Sequence, residues 1–310
     1  MLEAGLIVSR FLHYVAVLSL FGAALFPLYT YRGRLDAFAS DDGPLTVWLR
    51  RILVSAILLA FVSALGWFVF TTGAMAGDIS QVTNLAVLNA VMTGTDFGPL
   101  WVARFVSIIA IAALLRFWPA KKSMWLVPAL AGFLLASLAG TGHARITEGW
   151  PGTIHIASDI AHLLVAGWWL GGRLPRVILV FAAPAAGDRR HGVGPLGKVL
   201  CRFSGIGTVA VAILIASGVV NSWFLVGSPN ALLTSVYGRL LIAKVAIFLI
   251  MAAIATANRW WITPQLCRPG SAFTHAWLAR LRCHVLDEQA LGLCVVVLVS
   301  LLGTLQPAVS

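Results

Sequence analysis

The sequence predicts an all-α integral membrane protein that crosses the bilayer eight times. Its composition is the first reason: 60% of the 310 residues are hydrophobic and only 11% are charged, far from the balance of a soluble domain. The second reason is that apolar stretches of about 20 residues, enough for a helix to cross a hydrocarbon core of roughly 30 Å, recur along the chain. These stretches are too long and too uniformly apolar for barrel strands, whereas helices satisfy their backbone polar groups internally.

The predicted helices, spans 1 to 8 in chain order, lie near residues 5–28, 49–72, 98–118, 123–142, 154–174, 203–226, 237–258 and 286–306. They leave no soluble domain, so we expect residues 1–310 to form a single transmembrane domain. Span 1 lacks the pattern of a cleaved signal peptide, and we expect it to be a retained helix.

Basic residues are distributed unevenly among the connections between spans. The connections after spans 1, 3, 5 and 7 are rich in arginine and lysine, whereas the alternate connections carry only Arg145 and Arg239. The positive-inside rule then predicts that the basic connections face the cytoplasm and that both termini face outside. Topology therefore accounts for the net charge of +11, and we expect no nucleic-acid partner. The four cysteines fall on or near the reducing side, which argues against a disulfide framework.

The halves 1–142 and 154–310 resemble each other. RFLHYVAVLSLFGAALFP aligns with DIAHLLVAGWWLGGRLP and matches His13 to His162 and Gly22 to Gly171, while TDFGPLWVAR aligns with SVYGRLLIAK. LAGTGH, at the end of span 4, aligns with LLGTLQ at the end of span 8, but spans 2 and 6 show no convincing match. Each half has an even number of spans, which predicts a parallel 4+4 repeat about an axis along the membrane normal. His13 and His162 are then expected at equal depth, where they can face one another.

Span 5 carries ionisable groups at helical spacing. His155, Asp159, His162, Ala166 and Trp169 are separated by four, three, four and three residues and so share one helix face. The two histidines are about 10 Å apart along the axis, too far for both to bind one ion through bonds of roughly 2 Å. A relay fits better, with Asp159 orienting an imidazole or neutralising a passing cation. The alternative is a structural clasp in which Asp159 pairs with Lys244 or Arg104.

Further candidate ligands lie at the predicted outer face. His143 ends span 4, where the following loop can bring it beside His155, and Met75 and Met92 lie on the same side. Imidazole and thioether suit copper, whereas hard ions such as Mg²⁺ would require more carboxylates. The sequence contains no P-loop and no phosphorylated-aspartate motif, so ATP is not expected to drive the protein directly, and we expect no enzymatic activity.

The sequence resembles the CopD family of bacterial copper resistance and copper transport membrane proteins. The matching segments are RFLHY, FGPLWVARF, GTGHA, DIAHLLVAGWWLGG, RFSGIG, YGRLLIAKV, ANR and DEQALG. The resemblance implies a multi-pass inner-membrane protein that moves copper from the periplasm toward the cytoplasm. The histidines of the family's motifs correspond to His143 and His162, and to His13 through the match of span 1. The chain lacks a Met-rich or His-rich outer tail, so we expect a periplasmic partner, of the CopC type in some relatives.

The sequence leaves two other functions open. One is a redox protein in which His13 and His162 are the axial ligands of a b-type haem. The other is a membrane sensor or scaffold, although the connection between spans 7 and 8 is short for an effector segment. We expect copper handling, with metal ligands at His13, His143, His155 and His162. The supporting residues are expected to be Asp159, Met75, Met92, Trp169, Arg104 and Lys244.

Overall fold

The computed structural model describes residues 2–30, 44–117, 120–142, 149–182, 195–262, 264 and 275–308, and every regular element among them is helical. The α-helices are α1 (Leu2–Thr30), α2 (Pro44–Ala76), α3 (Leu85–Gly94), α4 (Phe97–Phe117), α5 (Ala120–Ala136), α6 (Gly149–Ala166), α7 (Arg173–Ala182), α8 (Pro195–Val226), α9 (Pro229–Thr234), α10 (Val236–Ala257) and α11 (His275–Leu302). Turns of 3₁₀-helix lie at Ile79–Thr83 and Ser137–Thr141, and π-helical turns at Gly167–Gly171 and Asn258–Ile262. The predicted all-α membrane fold is thus confirmed.

Within the described residues, seven helical segments are long and apolar enough to cross a bilayer. They are Leu2–Tyr29, Leu45–Ala76, Phe97–Phe117, Gly149–Phe181, Gly205–Val226, Val236–Ile262 and Ala279–Leu302, and they correspond to predicted spans 1, 2, 3, 5, 6, 7 and 8. Predicted span 4 corresponds to α5 and the 3₁₀ turn after it, where the apolar helical stretch Trp125–Thr141 is shorter.

Helix α1 forms the centre of the bundle. It is buried over most of its length, and α2, α5, α11 and the π-helical turn Gly167–Gly171 pack around it. At one point the backbones touch: a Cβ added to Gly22 would lie 2.2 Å from the carbonyl carbon of Gly171, and one added to Gly171 would lie 1.9 Å from the oxygen of Leu18. Only glycine fits such an approach, which is a common way for membrane helices to pack.

Each half contains a short helix followed directly by a long one. Asn84 caps α3 by accepting a hydrogen bond from the amide of Ala86, and Ser228 caps α9 by accepting one from the amide of Ala231. These short helices precede α4 and α10 at one end of the bundle, where α1 and α6 also begin and where α2, α8 and α11 end. This end is the predicted outer end, because the connections here carry few basic residues.

Candidate functional site

A cavity of about 600 Å³ extends into the bundle from the predicted outer end, between α6, α8, α10 and the last turns of α11. Apolar side chains form most of its wall. Polar and ionisable side chains lie at intervals along it, namely Arg10, Tyr14, His155, Asp159, His162, Asn221, Ser222, Tyr237 and Lys244. Ionisable groups at membrane depth are costly, so their concentration around one cavity marks it as the candidate functional site.

The ionisable stripe of predicted span 5 lies along this cavity. His155, Asp159, His162, Ala166 and Trp169 all line it. The first four belong to α6, which runs without a break from Gly149 to Ala166 and so keeps them on one face. Trp169 belongs to the π-helical turn that follows, a type of turn that often occurs at functional sites.

His162 is held by a serine of α8. Its Nδ1 lies 2.9 Å from the hydroxyl oxygen of Ser217, and that hydroxyl donates its proton to the carbonyl of Ile213 at 2.6 Å. A hydroxyl has one proton, so the serine oxygen accepts from the imidazole, and we assign the proton of His162 to Nδ1. Nε2 then keeps its lone pair, which is the state that binds a metal ion.

His13 makes the same contact in the other half of the chain. Its Nδ1 lies 3.1 Å from the hydroxyl oxygen of Ser63 and 3.2 Å from the carbonyl oxygen of Ala60, and Ser63 donates to the carbonyl of Leu59 at 2.6 Å. The surroundings differ, because His13 has no exposed surface and is not among the residues that line the cavity.

The rings of Trp67 and Trp101 flank His13, with centroids 5.6 and 6.3 Å from the imidazole. The two histidines therefore point toward different helices, α2 and α8. The expectation that they face one another is wrong. The physical reason is that Gly22 and Gly171, rather than the imidazoles, form the contact between the two matched helices.

Asp159 lies between His155 and His162 on the cavity wall. Its Oδ1 accepts a hydrogen bond of 3.2 Å from the side-chain amide of Asn221 on α8. Lys244 of α10 lines the same cavity and is placed to balance the carboxylate electrostatically. The clasp considered from the sequence is thus present in a looser form, with an amide as the direct partner and the ammonium across the cavity.

Arg104 does not take part in that clasp. Its Nε donates to the hydroxyl of Ser137 at 2.9 Å, and its Nη2 donates to the carbonyl of Ser137 and the hydroxyl of Thr141 at 2.8 and 2.9 Å. Its guanidinium also lies 4.9 Å from the ring centre of Trp101. These contacts fix the 3₁₀ turn after α5 against α4, so the alternative that paired Arg104 with Asp159 is wrong.

Of the remaining sequence-predicted residues, His155 lines the cavity, whereas Met75 and Met92 are not among its lining residues. His155 is only 2% exposed and stacks on Phe224, with ring centroids 4.8 Å apart. Met75 is 53% exposed near the end of α2, and Met92 is half-buried beside Gly98. His143 lies outside the described residues.

Trp169 lies between this cavity and a second one at the opposite end. It lines both the outer cavity and an inner cavity of about 270 Å³, which also contains Arg173, Arg176 and Glu288. The guanidinium of Arg173 lies 4.2 Å from the centre of the Trp169 ring. A buried indole and its stacked arginine therefore separate the two cavities.

The described residues of the outer cavity do not form a cage of three or more metal ligands. Across the part of the chain that is described, no three His, Cys, Asp or Glu side chains come close enough together to hold one metal ion. This agrees with the spacing argument that His155 and His162 are too far apart to share an ion. An ion entering here would meet its protein ligands in succession.

Sequence reasoning missed the residues that hold the stripe in place. Ser217 and Asn221 lie on α8, one turn apart, and contact His162 and Asp159 respectively. Ser63 is the residue of α2 that contacts His13. The sequence signal for these partners is a serine in the apolar helix of span 2 and another in span 6. The two spans show no convincing match, so this correspondence was not recognised.

Comparison with known proteins finds relatives along the full length of the chain. The family described as copper resistance protein D-like, N-terminal domain, matches residues 1–153, and the family described as copper resistance protein D matches residues 197–302. The chain is 31% identical to "Copper resistance protein D" of Pseudomonas syringae pv. tomato over 305 residues, which are 97% of this chain and 96% of that protein.

Two further relatives extend the comparison. Identity is 31% over 319 residues with "Inner membrane protein YebZ" of Escherichia coli (strain K12), covering 99% of this chain and all of that protein. It is 26% over 280 residues with "Copper transport protein CutJ" of Bacillus subtilis (strain 168), covering 88% of this chain and 49% of that longer protein. No solved structure matches the chain at a significant level.

Proposed function

Because the chain belongs to the copper resistance protein D (CopD) family, we propose that it moves copper ions through a bacterial inner membrane, from the periplasm toward the cytoplasm. Relatives named for copper resistance, copper transport and the inner membrane support the cargo and the location. The outer cavity is the route that we assign to the ion. The protein then acts as a transporter and not as an enzyme.

The observation that carries this proposal is the state of His162. Its Nδ1–H donates to Ser217, and the imidazole lines a cavity whose wall reaches Ser228 and Pro229 at the predicted outer end. An imidazole whose second nitrogen is fixed by a hydrogen bond is the usual arrangement of a metal-binding histidine. Imidazole is a suitable ligand for both oxidation states of copper.

The ionisable stripe along α6 suits the passage of an ion better than its storage. His155, Asp159 and His162 lie on one face over about 10 Å, so each can bind the ion after the previous one releases it. Conduction requires binding that is favourable enough to admit an ion and weak enough to release it. Ligands met in succession meet that requirement, whereas a complete coordination cage would retain the ion.

Asp159 is the charged group on the cavity wall that favours a cation, whereas Arg10 and Lys244 on the same wall are positively charged. When the cavity is empty, Lys244 balances Asp159, and an arriving copper ion competes with the ammonium for the carboxylate. A negative-inside potential drives a cation inward by about 2.3 kcal/mol per charge per 100 mV, so uptake requires no ATP. A periplasmic CopC-type protein would deliver copper at the rim of the cavity, near Ser228 and Pro229.

We also propose that the chain is a parallel 4+4 repeat of which only the second half keeps an open cavity. Three correspondences support this: His13–Ser63 with His162–Ser217, Gly22 against Gly171, and α3–α4 with α9–α10. At the positions matching Asn221 and Leu241 of the cavity wall, the first half carries Trp67 and Trp101, whose rings pack 5.6 Å apart. His13 would then stabilise a filled counterpart of the site, and its role as a copper ligand stays a prediction.

The haem alternative gains no support. The side-chain hydrogen bonds of His13 and His162 lead to α2 and α8, and of these two histidines only His162 lines the cavity. A haem held between them would require both imidazoles to reach one ring.

Copper titration of the purified protein in nanodiscs, in competition with a chelator of known affinity, tests the proposal. We expect His162→Ala to weaken copper binding by about tenfold or more and His13→Ala to leave it nearly unchanged. X-ray absorption of the copper-loaded protein should show nitrogen ligands that are reduced in number in His162→Ala. Equal losses in both variants, or no loss in His162→Ala, would refute the assignment to the cavity.

A further inference from the structure

The outer cavity meets the inner cavity at Trp169, seven residues beyond His162 in the direction of the predicted cytoplasmic side. Among the described residues, Trp169 is the one that the walls of both cavities share, and its side chain is 3% exposed. Seven residues correspond to about 10 Å of helix. A cation that leaves His162 toward the cytoplasm therefore meets this indole next.

The backbone that carries Trp169 is closely packed against its neighbours. A Cβ added to Gly167 would overlap the side chain of Leu135, and one added to Gly171 would overlap the carbonyl of Leu18. These glycines bound the π-helical turn and hold it against α1 and α5, so the turn has little room to shift. The indole lies against α8 and α10 instead, beside the outer cavity of about 600 Å³. Opening would therefore involve rotation of the side chain, for which this cavity has room.

An anchored arginine holds the indole in place. The guanidinium of Arg173 lies 4.2 Å from the centre of the Trp169 ring, and its Nη2 lies 3.4 Å from Oε1 of Glu288 on α11. Both charged side chains are buried, and a cation–π contact is stronger where water is excluded. Moving the ring requires giving up its contact with Arg173, which favours the closed position at rest.

The inner cavity lies beyond the indole, at the predicted cytoplasmic end. It measures about 270 Å³, and its wall reaches Trp260, which is 68% exposed. Exposed tryptophans are typical of the membrane–water interface, so the cavity extends to that level. Arginines line it beside Glu288, so it is poorly suited to retaining a cation. A cation that reached this cavity would pass on to the cytoplasm, as an exit requires.

We propose that Trp169 is the gate of the ion route and that the inner cavity is the exit behind it. In the structure the indole closes the route, and its rotation toward the outer cavity joins the two cavities. The identity of the ion rests on the proposed function, whereas the barrier depends only on the two cavities and the ring between them. The gate can therefore be measured without copper.

Labelling of the inner cavity from the outside tests the gate. Ala252→Cys is introduced into the full chain after its four native cysteines have been replaced by serine, because Ala252 lines the inner cavity and is not among the lining residues of the outer one. Spheroplasts that contain this protein receive a membrane-impermeant cationic thiol reagent on their periplasmic side. We expect Trp169→Ala to raise the labelling rate at position 252 by about tenfold or more, because the ring that separates the cavities is removed.

Two further variants separate the gate from a general loss of packing. Trp168→Ala is the matched control, because Trp168 lies in the same π-helical turn and is not among the lining residues of either cavity. It should leave the labelling rate near that of wild type. Trp169→Phe keeps a ring beside Arg173 and should give a rate between those of wild type and Trp169→Ala. Thermal unfolding checks that each variant is folded.

Copper uptake into proteoliposomes by the same variants links the gate to the route. Faster labelling and faster uptake in Trp169→Ala, with neither change in Trp168→Ala, would support the proposal. Faster labelling in Trp169→Ala without copper uptake by any variant would support the gate and refute copper as the ion. Equal labelling in the two alanine variants would overturn the gate, whatever the copper uptake.

Discussion

Replacing Ser217 by alanine should weaken copper binding without contacting the metal. The Ser217 hydroxyl lies 2.9 Å from Nδ1 of His162 and is the side-chain partner that sets the tautomer of this imidazole. Alanine removes that acceptor and leaves the ring with its backbone bond to Leu214 inside a mostly apolar wall. The Ile213 carbonyl, to which the hydroxyl also donates, keeps its own hydrogen bond within α8.

The size of the effect follows from the contact that is lost. An N–H that loses an acceptor in buried surroundings costs up to about 1–3 kcal/mol, which the remaining backbone bond to Leu214, a rotation of the ring or a move of the proton to Nε2 can reduce. Either the rotation or the proton move removes the lone pair from the cavity. Losing the partner of a metal-binding histidine typically lowers affinity by about 10–100-fold, or about 1.4–2.8 kcal/mol.

The other half of the chain supplies the control. Ser63→Ala breaks the same type of bond, 3.1 Å long, to a histidine that does not line the cavity. Chelator competition should show the loss of copper affinity in Ser217→Ala only, while thermal unfolding shows similar destabilisation of both variants. Ser217→Thr, which restores the hydroxyl, should recover most of the affinity. Equal losses of affinity in both alanine variants would refute the reasoning, because the effect would then come from general destabilisation.

Three other changes test the packing and the charge of the site. Gly22→Ala should lower Tm, because the new Cβ would lie 2.2 Å from backbone atoms of Gly171, at a cost of about 1–3 kcal/mol or more. Gly205→Ala, which has open space around it, should not lower Tm. Equal Tm values for the two variants would contradict this. Arg104→Lys should destabilise the fold by about 3 kcal/mol, because the hydrogen bonds to Ser137 and Thr141 are lost, and should leave copper affinity intact. Unchanged thermal unfolding would count against the structural role of Arg104. Asp159→Asn should slow copper uptake into vesicles by about tenfold while keeping the bond from Asn221, and uptake at the wild-type rate would exclude a role for the charge.

Much of the fold could be predicted from hydropathy and helical periodicity. Seven of the predicted spans coincide with helices of spanning length, and the stripe from His155 to Trp169 lines one cavity because α6 keeps the period of 3.6 residues. Predicted span 4 was less well defined, because its apolar helical part, Trp125–Thr141, is shorter than the others. The π-helical turn at Gly167–Gly171 has no signal in the apolar pattern, since it changes the hydrogen bonding and not the composition.

The orientation of His13 follows from its spacing in the sequence together with one contact in the structure. Nine residues separate His13 from Gly22, which is two and a half turns of an α-helix, so the two residues lie on opposite faces of α1. Because Gly22 contacts the helix that carries His162, His13 must face away from it. The serine partners could not be predicted in this way. In the sequence, a serine that bonds only its own helix, as Ser300 does, cannot be distinguished from a serine that also bonds a histidine.

Copper flux through the purified protein tests the central claim most directly. Sealed proteoliposomes that contain a copper-sensitive dye receive copper outside under an imposed negative-inside potential, and wild type is compared with His162→Ala and His13→Ala. We predict uptake that depends on the potential in wild type and in His13→Ala, and its loss in His162→Ala. A folded wild-type protein that passes no copper, or a His162→Ala variant that passes it at the wild-type rate, would contradict a copper route through the cavity.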